Sequence, residues 1–486
     1  MSDEDAELAI QYDALQLKLD DLIAGKEQFT DLTNAELFVK AYKDRIRYCM
    51  PWKKWLIWDD STWRPDECRE IYALCKDFLR GLYIKVATIS DHKRAVEMAM
   101  HVIKSESLRR RQALVESASL ERAVRITPGE VDQDPFLFNV RNGTLDLRTG
   151  QLHESMKEKY ITKCAGVNYD KDATCEHWKK FLHRILQGNE ALIRFFQKAV
   201  GWALTGDMSE QVMFILYGSG ANGKSTFINT VMEILGEYAM STQTETFMRK
   251  NGNTLSNDIA RLRGARFVTT VEAEEGRRLS EPLIKQVTGQ DVMTARFLYG
   301  EYFDFLPTFK IFMATNHKPV IRGTDVGIWR RIKLIPFTET IPYEERNPDL
   351  MKILLKEKAG ILNWMIEGCM LWQKERLGEP EEVRSATEAY QNEMDVIGSF
   401  IAECCVVDSS GYLRVTSSDL YREYLAWCES NSERPYAQRI FGMHLENKGF
   451  KKERTRQARC WSGIGLRAGE GCVRKADNDN LYVLWG

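Results

Sequence analysis

The sequence lacks the features of a membrane, secreted or repetitive protein. No apolar run approaches the ~20 residues needed to cross a bilayer, and there is no internal repeat or low-complexity tract. The acidic start, Met1-Ser2-Asp3-Glu4-Asp5, excludes a secretory signal peptide, which begins with basic residues. We therefore expect a cytoplasmic protein with no membrane partner.

Paired cysteines and a strong net charge are also missing. The 11 cysteines show no paired spacing, which favours a reducing compartment over a disulfide scaffold. Cys164, Cys175, His177 and His183 form a cluster that resembles metal ligands, but their spacing matches no zinc pattern. We interpret them as separate structural residues. The net charge of −2 means that any surface for nucleic acid must be local.

What is present is one specific motif in an ordinary globular background. With 486 residues, the chain predicts two to four domains. Gly218 to Thr226 fits the phosphate-binding loop of nucleotide hydrolases, G-x-x-x-x-G-K-[ST]. Residues 212–217 predict a buried strand before the loop, and apolar residues at helical spacing predict a helix over 227–235. This context makes the match specific, since a chance match would lack it.

The residue types in this loop suit a nucleotide bound with Mg²⁺. Glycines let successive backbone N–H groups point at phosphate oxygens, and the helix N-terminus adds partial positive charge. Lys224 would reach the β- and γ-phosphates, and the Ser225 hydroxyl would bind Mg²⁺. The predicted nucleotide contacts are Gly218, Gly220, Ala221, Asn222, Gly223, Lys224, Ser225 and Thr226.

A second buried strand is predicted over residues 266–271, directly before a run of carboxylates. A carboxylate at the end of such a strand can position Mg²⁺ and the attacking water. Glu272 is the favoured candidate for this catalytic and metal-binding role. Glu274 and Glu275 remain alternatives, because they could instead begin the following loop.

Two more strands complete the predicted sheet. Residues 309–314 lead into Asn316, whose amide could hold the attacking water or the γ-phosphate. Residues 328–337 place Arg330 and Arg331 at the start of a fourth strand. Four buried strands with helical or looped connections predict an α/β fold with a parallel sheet, whose strand ends carry the site.

The first 130 residues predict helices interrupted by a hairpin. Asn34 is the predicted N-cap of a helix over 35–48, and residues 93–124 read as one long helix. Residues 55–63 predict a hairpin that turns at Asp59-Asp60. No further carboxylate and histidine complete the set that a polymerase-type primase needs. We interpret the two aspartates as a polar turn.

The C-terminal segment is locally basic. Residues 434–475 hold 11 Lys or Arg against three Asp or Glu, a balance of +8. Helices are predicted over 397–404, 418–429 and 436–447, followed by a basic ribbon. The charge contrast favours DNA binding over a solvated face. The predicted contacts are Arg439, Lys451, Lys452 and Arg454, with Gln438, His444 and Arg456 as further candidates.

In this order the motifs resemble one family. The loop, the strand before Glu272, residues 285–291 (Lys-Gln-Val-Thr-Gly-Gln-Asp), Ala314-Thr315-Asn316 and Trp329-Arg330-Arg331 resemble superfamily 3 helicases of the AAA+ class. The nearest branch is the phage/plasmid and poxvirus type of primase-helicase, here without an evident primase domain. Residues 142–147 and 201–207 also resemble that branch. The resemblance covers roughly residues 130 to 470.

The resemblance implies an ATP- and Mg²⁺-dependent helicase that acts on single-stranded and forked DNA. That family forms rings of six subunits and translocates 3′ to 5′. Lys224 and Ser225 would bind nucleotide and metal, Glu272 would polarise water, and Asn316 would sense the γ-phosphate. Arg331, ahead of Arg330, would enter the neighbouring subunit's site as an arginine finger. A separate primase or polymerase would be a partner.

One segment departs from the family pattern. Residues 292–305 predict a hairpin that in this family projects into the ring channel with a basic residue gripping DNA. Here the predicted tip carries Tyr299 and Glu301 in place of lysine. Arg296 and Tyr299 are candidate DNA contacts through charge and stacking, and the gripping residue stays open.

The resemblance also divides the chain. The predicted segments are an N-terminal helical region with a short hairpin (1–130), a hairpin plus helical collar or linker (131–204), an AAA+ motor (205–345), a helical connector (346–394) and a winged-helix DNA-binding domain (395–486). From another class, the alternative is an AAA+ ATPase that remodels a protein or nucleoprotein without unwinding. Both readings need the same nucleotide site.

Overall fold

The structure is a computed structural model that describes residue 28 and residues 30–249, 257–271, 276–298, 300–323, 326–408, 410–454 and 458–467. Its α-helices are α1 (Asp31–Tyr42), α2 (Glu70–Val86), α3 (His92–Ser105), α4 (Leu108–Ser119), α5 (Glu176–Ile185), α6 (Glu190–Ala203), α7 (Lys224–Leu235), α8 (Asn257–Arg261), α9 (Glu281–Thr288), α10 (Val326–Trp329), α11 (Leu350–Lys356), α12 (Lys358–Glu375), α13 (Glu381–Met394), α14 (Val396–Cys404), α15 (Ser417–Ser430) and α16 (Gln438–Asn447).

The strands are β1 (Ile46–Cys49), β2 (Lys54–Trp58), β3 (Trp63–Pro65), β4 (Arg125–Ile126), β5 (Leu137–Val140), β6 (Gly143–Asp146), β7 (Gln151–His153), β8 (Met213–Tyr217), β9 (Ala239–Gln243), β10 (Phe267–Val271), β11 (Met293–Arg296), β12 (Tyr302–Phe305), β13 (Lys310–Thr315), β14 (Ile332–Pro336), β15 (Cys405–Val407), β16 (Arg414–Thr416), β17 (Lys451–Arg454), β18 (Arg459–Ser462) and β19 (Ile464–Leu466).

Five strands form the central sheet, in the order β14–β8–β13–β10–β9. Every neighbouring pair is parallel, which confirms the predicted parallel sheet in an α/β fold. β8 and β13 are almost wholly buried, as expected for strands covered on both faces. β9 is a fifth strand that the sequence did not single out. Because β8 pairs in parallel with β13 on one side and β14 on the other, the carboxyl ends of these three strands lie at the same edge of the sheet.

Helix α6, which precedes the sheet in the chain, and helix α12, which follows it, pack closely on each other. Glycines allow this close approach. A Cβ atom at Gly201 in α6 would lie 2.2 Å from the backbone nitrogen of Cys369 in α12. A Cβ atom at Gly368 would lie 2.0 Å from the carbonyl oxygen of Gln197. The predicted collar and connector segments therefore share a hydrophobic core with the sheet, and that core includes Trp178, Phe196, Trp202, Phe214, Met365 and Trp372.

Two buried cations fix the end of α6 to the opposite, amino edge of the sheet. Arg266, next to β10, donates to the carbonyl oxygens of Leu204 and Leu137. Lys310, at the start of β13, donates to the carbonyl oxygen of Thr205 at 2.5 Å. Burial lowers the pKa of Lys310 well below its usual value. Cations are favourable at a helix C-terminus because its last carbonyl groups carry partial negative charge.

The N-terminal region contains more sheet than predicted. Strands β3–β2–β1–β4 form a four-stranded sheet, of which the sequence predicted only the β2–β3 hairpin. Helices still make up most of the described part of this region, as predicted. The predicted helix 35–48 instead runs from Asp31 to Tyr42 and is capped by Thr30, whose Oγ1 accepts from the Thr33 nitrogen at 3.1 Å. The remaining residues form β1, because their apolar and aromatic side chains pair with β2.

Two further N-terminal predictions have different outcomes. The single helix over 93–124 is wrong, because the first helix ends at Ser105 and a second one begins at Leu108. Ser107 caps the second helix and accepts from the Arg110 nitrogen at 3.4 Å. The hairpin at the two aspartates is confirmed. Asp59 Oδ1 accepts from the backbone nitrogens of Ser61 and Thr62, at 3.1 and 2.7 Å, which is the polar turn expected.

The hairpin predicted within residues 131–204 is confirmed as β5–β6. Val140 pairs with Gly143, so the two turn residues are Arg141 and Asn142. Gly143 has a φ of +148°, and a Cβ atom there would lie 2.2 Å from the carbonyl oxygen of His153 in β7. The glycine is therefore required by strand packing rather than by the turn.

The C-terminal segment forms a small unit with its own core. Helices α14, α15 and α16 pack around Phe400, Tyr424, Phe441 and Trp461. Strands β16–β18–β17 form an antiparallel sheet, and β15 pairs with β19. The predicted helices agree with the structure to within two residues at each end. None of the described helices is both long and apolar enough to cross a membrane.

The glycine contacts predict the stability of two variants. Gly201→Ala and Gly368→Ala should each destabilise the fold by about 1–3 kcal/mol or more, because the new methyl group meets backbone atoms that cannot move aside. Denaturant unfolding followed by tryptophan fluorescence would measure the loss.

Gly81→Ala in α2 is the matched control. A Cβ atom there has no atom within 4 Å, and alanine favours a helix by about 1 kcal/mol over glycine. The control should be as stable as the wild type or more so. Wild-type stability in both Gly201→Ala and Gly368→Ala would contradict the close crossing of α6 and α12.

Candidate nucleotide-binding site

The loop between β8 and α7 requires glycine at two places. Gly223, which precedes α7, has a φ of +85°, and a Cβ atom there would lie 2.6 Å from Ile185 Cγ2. A Cβ atom at Gly218 would lie 2.2 Å from the carbonyl oxygen of Phe337. Gly220, by contrast, has open space around it. The loop is thus held at both ends while its middle faces outward.

Lys224 is buried in the loop, with 6% of its surface exposed. Its ammonium group donates to the carbonyl oxygen of Gly218 at 2.6 Å, to Asn222 Oδ1 at 3.0 Å and to Asn316 Oδ1 at 3.2 Å. Asn222 is 2% exposed and donates in turn to the carbonyl oxygen of Phe337 at 3.3 Å. The structure therefore brings the predicted residues Lys224 and Asn316 into direct contact.

The position of Asn316 follows from the sheet. It comes directly after β13, where Thr315 pairs with Tyr217, the last residue of β8. Thr315 Oγ1 donates to the carbonyl oxygen of His317 at 2.6 Å and accepts from its backbone nitrogen at 3.1 Å. This local turn holds Asn316 beside the loop. Its amide can contact a group that also contacts Lys224.

One of the metal-binding candidates, Ser225, lies at the same edge. Ser225 is exposed in the first turn of α7. Glu272, Glu274 and Glu275 lie outside the described residues. β10, which directly precedes them, is parallel to β13, so its carboxyl end reaches the edge that carries Asn316. Among the described residues, no group of three or more His, Cys, Asp or Glu is arranged to hold a metal ion.

Sequence reasoning missed the segment that supports the loop from behind. Phe337 donates its backbone N–H to Tyr217 at 2.7 Å, and Ile341 donates to Ala221 at 2.9 Å. Glu339 accepts from Gln187 at 2.9 Å and from Arg184, and these hydrogen bonds lower the pKa of Glu339. No motif marks these residues. The glycines at both ends of the loop were the only available signal of close packing there.

The two candidate arginines lie away from their own loop. They precede β14, whose other end leads into Phe337, and a five-residue strand is about 16 Å long. Arg331 is 8% exposed and its Nε donates to Thr288 Oγ1 at 3.1 Å. Arg330 is exposed and donates to Gln211 Oε1 at 3.2 Å. The arginine with its side chain at the surface is thus Arg330, the less favoured of the two predicted.

The predicted hairpin over 292–305 is confirmed as the antiparallel pair β11–β12. Arg296 is exposed, and its guanidinium lies 5.0 Å from the centre of the Tyr302 ring, which is also exposed. Tyr299 lies outside the described residues. Phe297 and Leu298 are exposed near the tip. The hairpin therefore presents a cation and aromatic rings to solvent.

The predicted C-terminal contacts also share one unit. Arg439 is exposed on α16, and Lys451, Lys452 and Arg454 are exposed on β17. Gln438 is exposed as well, whereas His444 is half-buried against the Tyr436 ring. Burial lowers the pKa of His444. Arg456 lies outside the described residues.

Three protein families match successive parts of the chain. A D5 N-terminal-like family matches residues 35–187, a family of unknown function (DUF5906) matches residues 216–331, and a poxvirus D5 protein-like family matches residues 392–478. The resemblance to poxvirus-type primase-helicases is confirmed. The middle match contains the candidate nucleotide site, and the last match contains the basic hairpin.

Similar proteins occur in large DNA viruses. A putative helicase of Acanthamoeba polyphaga mimivirus is 28% identical over 324 residues, covering 62% of this chain and 34% of that protein. A putative helicase of Frog virus 3 is 28% identical, covering 50% and 27%. A putative primase of African swine fever virus is 24% identical, covering 70% and 38%. The chain spans about a third of the length of these relatives.

A solved structure aligns with most of the chain. It is the apo structure of the NrS-1 C-terminal region, and the alignment covers 86% of this chain and 96% of that one. The sequence identity is 10% and the TM-score is 0.47.

Proposed function

We propose that this chain is the motor of an ATP-dependent DNA helicase of the superfamily 3 type, acting 3′ to 5′ on single-stranded DNA. The observation that supports this most directly is the contact between Lys224 and Asn316 at the carboxyl edge of the parallel sheet. A cation on a glycine loop and an amide on the next strand are the groups that an ATP γ-phosphate needs.

In this proposal each residue has a separate task. Backbone N–H groups of the loop and the Lys224 ammonium bind the phosphates, and Ser225 binds Mg²⁺, which would neutralise phosphate charge during transfer. Glu272 orients the attacking water, and Asn316 contacts the γ-phosphate. Lys224 would exchange part of its contact with Asn222 and Asn316 for phosphate oxygens. Asn316 would then register whether a γ-phosphate is present.

DNA would be contacted at two surfaces. The exposed Arg296 and Tyr302 on β11–β12 combine charge with an aromatic ring, the combination that binds single strands without sequence preference. We assign α14, α15, α16 and the β17–β18 hairpin to a winged helix, a proposal supported by the order of these elements. Arg439 lies on α16, the third helix, and Lys451, Lys452 and Arg454 lie on the hairpin. This unit would load the motor on DNA. Primer synthesis is assigned to a separate primase or polymerase.

The active form would be a closed ring, with six subunits as in the resembling family. Because Arg330 and Arg331 lie at the sheet edge opposite their own loop, either could serve only a neighbouring subunit's site. Arg330, whose side chain is exposed, suits that role without rearrangement. Arg331 would first have to leave Thr288 and Gly327. We also propose that the protein acts in the cytoplasm.

ATP hydrolysis with and without single-stranded DNA tests the proposal. Wild-type protein should hydrolyse ATP with Mg²⁺ and be stimulated by DNA. Lys224→Ala should lose at least about a hundredfold in turnover, since such electrostatic contributions are worth on the order of 3 kcal/mol. Glu272→Gln should retain ATP but cleave it slowly. The control Lys179→Ala removes an exposed lysine on α5 and should leave turnover unchanged.

Two outcomes of that assay would redirect the proposal. Normal turnover in Glu272→Gln would move the catalytic role to Glu274 or Glu275. ATP hydrolysis that DNA does not stimulate would favour the remodelling ATPase. Loss of turnover in Lys179→Ala would show that the lysine substitutions act through stability.

Mixing inactive subunits tests the ring. Neither Lys224→Ala nor Arg330→Ala protein should be active alone, but a mixture should regain activity at interfaces that pair an intact loop with an intact arginine. Arg330→Ala should keep wild-type stability, whereas Arg331→Ala should lower it, because buried partners of Arg331 would be left unsatisfied.

Subunit mixing also shows which of the two arginines acts in the neighbouring site. Recovery with Arg331→Ala but not with Arg330→Ala would assign the finger to Arg331. Full activity of the wild type as a diluted monomer would contradict the ring.

A further inference from the structure

The turn between β1 and β2 lies next to the β11–β12 hairpin. Arg263, just after α8, has its guanidinium 4.5 Å from the centre of the Trp52 ring and 5.5 Å from that of Phe303 in β12. Phe303 stacks in turn on the exposed Phe297 ring, with 5.4 Å between centroids. A row of rings therefore runs from the N-terminal sheet to the tip of the hairpin.

The residues of this turn are of the types that bind single-stranded nucleic acid. Met50, Pro51, Lys53 and Lys54 are exposed, and Trp52 is half-buried. Lys54 lies 3.6 Å from Glu67, whereas Lys53 forms no ion pair among the described residues. Ammonium groups bind phosphates, and aromatic rings stack on bases of any sequence.

Lys53 also occupies a backbone conformation that does not favour lysine. Its φ is +51°, in the left-handed region, and its N–H donates to the Met50 carbonyl oxygen at 3.0 Å. Glycine or asparagine would occupy such a turn position with less strain. Lys53 therefore presents an exposed cation from a strained backbone position, beside the ring of Trp52.

We propose that the β1–β2 turn, through Lys53 with Trp52 beside it, is a second contact for single-stranded DNA that continues the surface of the β11–β12 hairpin. This inference rests on the proposed function. The N-terminal sheet would then guide the strand as it enters or leaves the hairpin, and Arg263 would hold the two surfaces side by side.

Lys53→Gly separates the two roles of this residue. Glycine relieves the backbone strain, so the melting temperature should stay the same or rise. Affinity for a fluorescently labelled oligothymidylate, measured by anisotropy, should fall by about fivefold. The slope of log affinity against log salt should become shallower by about 0.7, the value for one phosphate contact on a single strand.

Arg69→Gly is the matched control. Arg69 is also an exposed cation of the N-terminal region with a left-handed backbone, φ +60°, but it lies at the start of α2, outside the turn. Its replacement should leave DNA affinity and the salt slope unchanged. Equal losses in Lys53→Gly and Arg69→Gly would mean that general charge, rather than the turn, attracts DNA, and would overturn the inference.

Arg296→Ala distinguishes failure of this inference from failure of the proposed function. If Arg296→Ala weakens DNA binding and Lys53→Gly does not, the turn makes no DNA contact and its exposed residues serve another partner. If the wild-type protein binds no single-stranded DNA, both the turn contact and the helicase proposal are wrong.

Discussion

The position of β8 between β13 and β14 is the constraint on which the candidate site depends. Parallel pairing aligns Tyr217 with Thr315 on one side and with Pro336 on the other, so three strand ends meet at one edge. The glycine loop, Asn316 and the supporting segment after Phe337 each follow one of these ends. Their contacts with Lys224 and the loop backbone are therefore consequences of register. A shift of one residue in any of the three strands would separate them.

At the amino edge of the sheet, opposite the candidate site, the helices that flank the sheet in the chain are fixed to it. Arg266 and Lys310 bind the final carbonyl groups of α6, and Gly201 allows α12 to approach that helix closely. Helix α5, which precedes α6, reaches the nucleotide edge, where Ile185 contacts Gly223. A change at the loop can thus be transmitted to the collar through packed side chains.

Much of the central fold could be predicted from sequence, because its signals are local. The buried strands β8, β10, β13 and β14 are short apolar runs, and the glycine loop has a fixed spacing. β9 was missed because it is only partly buried and its residues Ala-Met-Ser-Thr-Gln lack that signal. In the N-terminal sheet the β2–β3 hairpin was predicted, but β1 was missed because the predicted helix continued to residue 48. The burial of Arg331 depends on Thr288 and Gly327, contacts that no local pattern reveals.

The central claim is that ATP hydrolysis at the loop moves this chain along DNA and separates strands. Strand displacement on forked duplexes, with a single-stranded 3′ or 5′ arm blocked in turn, tests it most directly. The account predicts ATP-dependent displacement that requires a free 3′ arm and disappears in Lys224→Ala. ATP hydrolysis without displacement on any fork would contradict the claim and would favour an ATPase that remodels a protein or nucleoprotein partner.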